Sequence, residues 1–191
     1  MKTKLLTTQE QIFTQVENAV ISLGQCRQSE LTFEKLLKIA LVRKHESIME
    51  YINLTFLIEG ISFTSHVHLI RHRLTTPMCQ SSRVELDDIE IVIPESVKAV
   101  LNDKDHTLND WCYDVRKMYK YLIDNNVPAE DARYLLPQGV KINMAIHMNL
   151  REFKHVINMR TAVSAHWEIR SVVESMIENS KEVSLLRDFL K

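Results

Sequence analysis

The sequence predicts an α+β fold, with a mostly antiparallel sheet flanked by long helices. Only three glycines and four prolines interrupt the 191 residues, and this scarcity favours long helices over an all-β fold with many turns. The candidate strands and helices do not alternate regularly, as they would in a doubly wound α/β fold. The length, with 45% hydrophobic and 26% charged residues, is typical of a single soluble globular domain covering residues 1–191.

The first half of the chain predicts two helices, a strand and a short helix. Residues 7–23 (TTQEQIFTQVENAVISL) place apolar side chains at helical spacing after a Thr cap that is followed three residues later by Gln. Residues 33–45 (FEKLLKIALVRKH) are a second helical candidate. Residues 52–62 (INLTFLIEGIS) are rich in β-branched and aromatic side chains and predict a strand, and residues 66–73 (HVHLIRHR) predict a short helix.

The second half of the chain predicts two further strands between helices. Residues 84–95 (VELDDIEIVIPE) alternate acidic and apolar side chains, as a half-exposed strand does. Residues 108–126 predict a long amphipathic helix, and residues 129–137 (AEDARYLLP) predict a short helix that stops before its proline. Residues 140–148 (VKINMAIHM) predict a strand, and the remaining chain predicts helices that begin after a cap at Asn149.

Charge and cysteine content argue against nucleic-acid binding and against a disulfide-stabilised protein. With 24 basic and 25 acidic residues and a pI near 6.7, the chain gives no overall electrostatic reason to bind nucleic acid. The three cysteines are odd in number and scattered, which favours a reducing compartment over a disulfide framework. The sequence contains neither an apolar signal-peptide core nor a run of 18 apolar residues, so we expect a cytoplasmic protein without a membrane partner.

Two groups of basic residues are candidates for binding anions. The first is the adjacent set Arg71-His72-Arg73, whose side chains must point in different directions. The second lies within residues 149–160, where arginines and a histidine follow the start of a helix. Arginine presents a planar fork of donors that matches phosphate. A solvated basic turn and surface ion pairs with Glu130, Asp131 or Glu152 are the alternative interpretations.

A histidine-based metal site is a further alternative. His66, His68 and His72 lie close together in the sequence, with His45 upstream. Only Cys79 adds a carboxylate or thiolate at ligand spacing, so the pattern matches no recognised ligand set and we expect no metal.

The spacing of the first basic group resembles the signature of the flavin-dependent thymidylate synthases. Arg71-His72-Arg73 is followed by seven residues (LTTPMCQ), then by Ser81 and by Arg83. The segments HESIMEY (45–51), RYLLP (133–137), NLREFKHVINMR (149–160) and AHWEIR (165–170) are similar to further segments of that family, in the same order. Several separated motifs in register are more specific than one triplet.

The resemblance implies the fold of the flavin-dependent thymidylate synthases and their activity. It implies that FAD, recharged by NADPH, supports the methylation of dUMP to dTMP with methylenetetrahydrofolate as the carbon donor. It also implies a homotetramer whose sites lie at the junction of several subunits, and a pyrimidine deoxynucleotide monophosphate as the partner.

The resemblance also implies residue roles. The residues expected to bind the cofactor are Ser47, Arg71, His72, Arg73, Asn149, Arg151 and His155. The residues expected to bind the substrate are His68, Arg71, Ser81, Ser82, Arg83, Arg133 and Arg160. Arg160 is the expected catalytic residue, because a guanidinium against the pyrimidine would stabilise the anion that develops at N3.

This sequence departs from the family pattern near the expected base. Met78 and Cys79 stand where the family usually has Asn-Glu, and His68 stands where it usually has Gln. Smaller departures are Val84 for Tyr, Ser164 for His and His166 for Gln. They leave open methylation or hydroxymethylation of dCMP by the same flavin chemistry, and a non-catalytic nucleotide-binding relative. Cys79 would be a reactive thiol if the nearby Arg73 lowered its pKa, but we expect an inert, partly buried cysteine.

Overall fold

The structure, a computed structural model, describes residues 1–22, 47–83, 88–101, 107–181, 186 and 190. The helix predicted for residues 33–45, and Val84 in the predicted strand, lie outside the described residues. Contacts divide the described chain into two compact units. Unit 1 consists of the described residues of Met1–Glu59, His68–Met78 and Met144–Lys191, and unit 2 of those of Gly60–Val67 and Cys79–Asn143.

Helices and strands follow one another without regular alternation, as the sequence predicts. In chain order they are β1 (Lys2–Leu5), α1 (Gln9–Ser22), α2 (Ser47–Tyr51), β2 (Asn53–Ser62), α3 (Phe63–Ile70), β3 (Thr75–Cys79), α4 (Glu95–Leu101), α5 (Thr107–Asp124), α6 (Ala129–Ala132), a 3₁₀ turn (Arg133–Leu135), β4 (Lys141–Asn149), α7 (Leu150–Arg160) and α8 (Trp167–Lys181). Within the described residues, each helix is too short or too polar to serve as a membrane span.

The four strands form one sheet in the order β1-β2-β4-β3. Strands β1 and β2 pair antiparallel, with Lys2 opposite Glu59 and Leu5 opposite Phe56. The sequence analysis did not predict β1 or β3. Both are only four or five residues long, and β3 contains a proline, so neither carries a strand pattern long enough to detect.

The predicted start of α1 is confirmed by a reciprocal capping arrangement. The backbone N–H of Gln11 donates to Oγ1 of Thr8 at 3.2 Å, and the backbone N–H of Thr8 donates to Oε1 of Gln11 at 2.8 Å. One face of the helix then buries Ile12, Val16 and Val20 at four-residue spacing.

Unit 1 has an apolar core between the sheet and α7. Every second residue of β4 is buried, including Met144, Ile146 and Met148. The ring of Phe56 on β2 packs on Phe153 of α7 with centroids 5.0 Å apart. Burial of one such ring stabilises the fold by about 1.5–3 kcal/mol relative to leaving it exposed.

Asn149 begins α7, as predicted. Its backbone is extended, and its Oδ1 accepts a hydrogen bond from the backbone N–H of Glu152 at 2.8 Å. Two helices follow the last strand, as predicted, and residues 161–166 form bends and turns between α7 and α8. Those turns place His166 immediately before α8.

Unit 2 has its own small core, formed by Ile89, Tyr119, Ala132 and Val140. The strand predicted for residues 84–95 is wrong in its described part, residues 88–95. There Ile91 makes only an isolated bridge to Val140.

Two residues explain why that bridge exists and why it does not extend. A Cβ at Gly139 would lie 2.7 Å from the carbonyl oxygen of Val92, so only glycine permits this close approach. Pro94 then lacks the N–H that a longer ladder would use, and α4 begins at the next residue.

The short helix predicted for residues 66–73 exists but lies nearer the N-terminus. Helix α3 ends at Ile70, so Arg71, His72 and Arg73 follow the helix instead of forming its last turn. The backbone N–H of His72 donates to the carbonyl of Leu69 at 3.0 Å, which starts the turn.

Candidate active site

The turn after α3 separates the three basic residues of the signature. His72 is buried, with 7% of its surface exposed, whereas Arg71 and Arg73 are exposed. Thr75 holds the turn, since its backbone N–H and its Oγ1 both donate to the carbonyl of His72, at 3.2 Å and 2.7 Å. The expectation that these side chains point in different directions is therefore confirmed.

His72 lies between a guanidinium and a carboxylate of α7. Arg160 Nε donates to Nε2 of His72 at 2.9 Å, and Nδ1 of His72 lies 3.4 Å from Oε1 of Glu152. Burial, then Arg160 and His155, lower the pKa of His72 from 6.5 to about 4. The ring is therefore neutral near pH 7.

Arg160 is held by two hydrogen bonds at the last residue of α7. Besides the bond to His72, its Nη2 donates to the backbone carbonyl of His68 at 3.2 Å. Burial, and then the charge of Arg71, lower the pKa of Arg160 below its usual range. The guanidinium is thus oriented by fixed partners and only partly hydrated.

The side chain of His68 packs against another histidine that the sequence analysis listed only as a departure. Its ring stacks on His166 with centroids 5.8 Å apart and an angle of 13° between the planes. Burial, followed by Arg160, His166 and Arg71, lowers the pKa of His68. His68 therefore gains its charge at a lower pH than an isolated histidine.

A cluster of possible metal ligands lies beside Arg160, and it differs from the set considered from the sequence. Among the described residues, ligand atoms of His72, Glu152 and His155 all lie within 4.8 Å of one another. His155 meets His72 edge to face, with centroids 5.8 Å apart. The guanidinium of Arg160 would repel a cation bound at this cluster.

The residues expected to bind the cofactor all fall in unit 1. Arg151 and His155 are exposed one turn apart on α7, and Arg151 pairs with Glu50 of α2, the helix that begins at Ser47. Both side chains of the pair are about half exposed, so a competing anion can replace Glu50 on Arg151 at little cost in free energy.

The residues expected to hold the phosphate and sugar of the nucleotide all fall in unit 2, and two pairs of them are joined by hydrogen bonds. Nη1 of Arg133 donates to Oγ of Ser82 at 3.2 Å, and the backbone N–H of Arg83 donates to Oγ of Ser81 at 3.2 Å. The fork of Arg83 is occupied by Glu130, with Nε and Nη2 at 3.0 and 2.7 Å from Oε2.

A pocket of about 460 Å³ lies beside these residues in unit 2. That volume lies within the usual range for small-ligand sites. Its polar lining includes His66, Cys79, Gln80, Ser82 and Arg133. The pocket thus joins two expected substrate residues to three side chains that the sequence analysis did not assign to the site.

Cys79 is paired with His66 across the wall of this pocket. Its Sγ lies 2.9 Å from Nε2 of His66. Burial raises the pKa of the Cys79 thiol and lowers the pKa of His66, so both groups are neutral. The expectation of a partly buried Cys79 is confirmed, and burial, rather than the charge of Arg73, sets the direction of its pKa shift.

The main residue that the sequence analysis missed in unit 1 is Glu152. It was considered only as a partner for surface ion pairs, yet it is 6% exposed and faces His72. A glutamate three residues after a helix cap usually reaches back to the cap, so its position in the sequence gave no signal of this contact.

Comparison with known proteins identifies relatives that match most of the chain. The family described as thymidylate synthase complementing protein matches residues 4–184. The flavin-dependent thymidylate synthase of Pyrococcus furiosus is 39% identical over 174 residues, covering 86% of this chain and 69% of that protein. That of Thermococcus kodakarensis is 36% identical over 173 residues, with the same shares. That of Geobacter sulfurreducens is 35% identical over 145 residues, covering 73% of this chain and 61% of that protein.

A solved structure has the same fold. Thymidylate synthase X from Helicobacter pylori, crystallised with FAD and dUMP, matches with a TM-score of 0.71 and 18% identity, over 100% of both chains. The predicted α+β fold and its resemblance to the flavin-dependent thymidylate synthase fold are thereby confirmed.

Proposed function

The chain belongs to the thymidylate synthase complementing protein family, and from that membership we propose that it is a flavin-dependent thymidylate synthase. It would methylate dUMP to dTMP with methylenetetrahydrofolate as carbon donor and NADPH as reductant. The observation that carries the proposal is the group of relatives with that name at 35–39% identity. Their name favours dUMP methylation over methylation or hydroxymethylation of dCMP and over a non-catalytic relative, which we do not propose.

The chemistry of unit 1 fits a cofactor that carries phosphates. Arg71, Arg73 and Arg151 expose guanidinium groups there, and guanidinium is the side-chain group best matched to phosphate oxygens. FAD, when bound, supplies the redox chemistry that side chains lack. We propose that these arginines, with Ser47, His72, Asn149 and His155, bind and orient it.

The nucleotide is proposed to use two sets of residues. Ser81, Ser82, Arg83 and Arg133 would hold its phosphate and sugar, which requires Arg83 to exchange Glu130 for phosphate. We propose His68 and Arg71 as further contacts of the nucleotide. Arg160 would stabilise the anion developing at N3 of the pyrimidine, and its bonds to His72 and His68 support this role by fixing the guanidinium before substrate arrives.

We propose that the chain acts as a cytoplasmic homotetramer, with both units belonging to one family domain of residues 1–191 and without nucleic acid or membrane as a partner. The span of the family match supports the single domain. Light scattering at micromolar concentration should give four times the chain mass of 22.3 kDa. A strict monomer that is nevertheless active would contradict the shared site.

The activity itself is tested with purified protein. We expect a yellow protein whose visible spectrum is that of bound flavin, and formation of dTMP from dUMP that requires both methylenetetrahydrofolate and NADPH. Parallel reactions with dCMP decide the substrate. A colourless protein that is not stabilised by excess FAD and forms no dTMP would contradict the proposal.

A further inference from the structure

We propose that Glu152 is a positioning residue for Arg160: by facing Nδ1 of His72, its carboxylate keeps that ring in the tautomer that accepts the hydrogen bond of Arg160. This inference rests on the proposed function, because it matters for turnover only if Arg160 stabilises the pyrimidine anion. Nothing in the sequence pattern assigns Glu152 to the site.

The tautomer of His72 follows from its neighbours. Arginine has only donors, so the 2.9 Å bond from Nε of Arg160 requires a lone pair on Nε2 of His72. A neutral imidazole carries a single N–H, which must then be on Nδ1. Nδ1 lies 3.4 Å from Oε1 of Glu152, and both residues are almost fully buried. The carboxylate thus stabilises the N–H dipole where Arg160 needs it.

Loss of the carboxylate would leave two unfavourable choices. If the proton stays on Nδ1, a buried donor loses the negative charge that faces it. If the proton moves to Nε2, two N–H groups oppose each other and Arg160 loses its acceptor. Either outcome loosens the guanidinium, whose second bond, to the carbonyl of His68, is longer at 3.2 Å.

The backbone fixes the two ends of this arrangement. Glu152 lies in the first turn of α7, where its N–H is bound by the Asn149 cap, and Arg160 is the last residue of the same helix. Eight residues of helix separate them by about 12 Å along the axis. The imidazole of His72, on the turn after α3, lies between the side chains of these two residues. Because Glu152 and Arg160 belong to one helix, that helix fixes the distance between their backbones.

The surrounding charges agree with a neutral ring. Among the described residues, the titratable and charged groups that contact His72 are Glu152, Arg160 and the edge of His155, and Arg160 in turn interacts with Arg71 and His68. Burial and the cation of Arg160 oppose protonation of His72. Burial raises the pKa of Glu152, since a buried carboxylate is poorly solvated.

The test measures the tautomer directly. Nitrogen-15 NMR of histidine-labelled holoenzyme near neutral pH, with His72→Gln to assign the signal, should show the proton of His72 on Nδ1 in the wild type. Glu152→Leu should shift the ring toward the Nε2–H form or toward mixed forms. Glu152→Gln, whose amide oxygen can take the place of the carboxylate oxygen beside Nδ1, should retain the Nδ1–H form. Nε2–H in the wild type, or an unchanged tautomer in Glu152→Leu, would overturn the proposal.

Kinetics supply a second readout. We expect kcat for dTMP formation to fall about 10-fold in Glu152→Gln and about 100-fold in Glu152→Leu, the range seen when carboxylates that orient functional histidines are removed. The KM for dUMP and the flavin content should change little, because Arg160 acts mainly on the developing anion. Glu168→Gln, which alters a second buried glutamate of unit 1, should leave kcat within about twofold of wild type.

The two readouts separate this inference from the proposed function. A wild type that forms no dTMP refutes the function, while the NMR result still decides whether Glu152 sets the tautomer. An Nδ1–H ring with an unchanged kcat in both Glu152 variants would refute the positioning role. If Glu152→Leu fails to fold, two results still test the proposal: it requires an Nδ1–H ring in the wild type and a lowered kcat in Glu152→Gln.

Discussion

Arg160 donates a 2.9 Å hydrogen bond from Nε to Nε2 of His72, a residue 88 positions earlier in the chain. The bond joins the middle residue of the basic signature to the residue expected to perform the chemistry. A third arginine at position 72 could not accept this hydrogen bond from Arg160, because its side chain has only donors.

Acid should destabilise the protein through His72. Its pKa is about 4 in the folded chain against the usual 6.5, so between these values the unfolded chain binds a proton that the folded chain does not. The stabilisation that the neutral ring of His72 provides is fully present above pH 6.5 and is lost as the pH falls to 4. This loss lowers the free energy of unfolding by at most about 3 kcal/mol. Glu152, whose pKa is raised, offsets part of this loss as the pH approaches 4.5. Urea unfolding across this range measures the free energy of unfolding as a function of pH. His72→Gln should flatten this pH dependence. His147→Gln, which replaces an exposed histidine, is the control and should leave it unchanged.

Removal of Arg71 should weaken FAD binding. The side chain is exposed and offers charge-assisted hydrogen bonds to a phosphate, so Arg71→Ala should cost about 1.5–3 kcal/mol, or about 10-fold to 150-fold in Kd. Flavin fluorescence during titration gives the affinity. Lys120→Ala, which removes an exposed cation of unit 2, is the matched control. Equal affinities for the two variants would show that Arg71 does not contact the cofactor.

Cys79 should not act as a nucleophile. Burial raises the pKa of its thiol, and its Sγ contacts the neutral ring of His66 at 2.9 Å. Alkylation by iodoacetamide near neutral pH should therefore be slower than that of a free cysteine, because the thiolate is the reactive form. Cys79→Ser should retain most of the turnover. A Ser variant that binds FAD and dUMP normally yet is inactive would contradict this prediction.

Glu130 should compete with the substrate phosphate for Arg83. The Arg83–Glu130 pair is exposed, and its two hydrogen bonds occupy the guanidinium fork. Glu130→Gln should lower the KM for dUMP by at most about fivefold, the scale of an exposed ion pair. Asp131→Asn, at the neighbouring exposed carboxylate, should leave KM unchanged. A rise in KM for Glu130→Gln would mean that Glu130 itself assists binding.

His68 should make nucleotide binding depend on pH below the usual histidine range. Its pKa is lowered by burial and by the cations around it, so the change between pH 6 and 7 expected from the sequence moves to lower pH. We expect dUMP and dCMP affinities to change at a pH below the usual histidine range, with weaker discrimination between the bases than in relatives that carry Gln. Calorimetric titrations of the wild type and His68→Gln provide the comparison. Identical pH profiles would remove His68 from the site.

Features decided by neighbouring residues were predictable from the sequence. The Thr8–Gln11 capping arrangement and the Asn149 cap depend on contacts over three residues, and both were predicted. The alternation in residues 88–95 misled the strand prediction, because strand formation depends on a partner that here offers a single bridge.

For the candidate site too, the sequence indicated local features but not contacts between distant residues. The signature and the other family-like segments supplied candidate residues, but they did not show which side chains contact one another. That Arg160 lies against His72, that Cys79 lies against His66, and that Glu152 is buried are all consequences of contacts between distant parts of the chain. Electrostatic surroundings, and hence the direction of each pKa change, could be assigned only after those contacts were known.

The strand order β1-β2-β4-β3 leaves β1 and β3 as the edges of the sheet formed by the described residues. An uncovered edge can template pairing with another chain and so promote aggregation. Strand β1 is four residues long and half of them are lysines, Lys2 and Lys4. Strand β3 carries Pro77, which removes a backbone donor from its ladder. The charges on one edge and the missing donor on the other both discourage the growth of fibrils from this sheet while the chain folds.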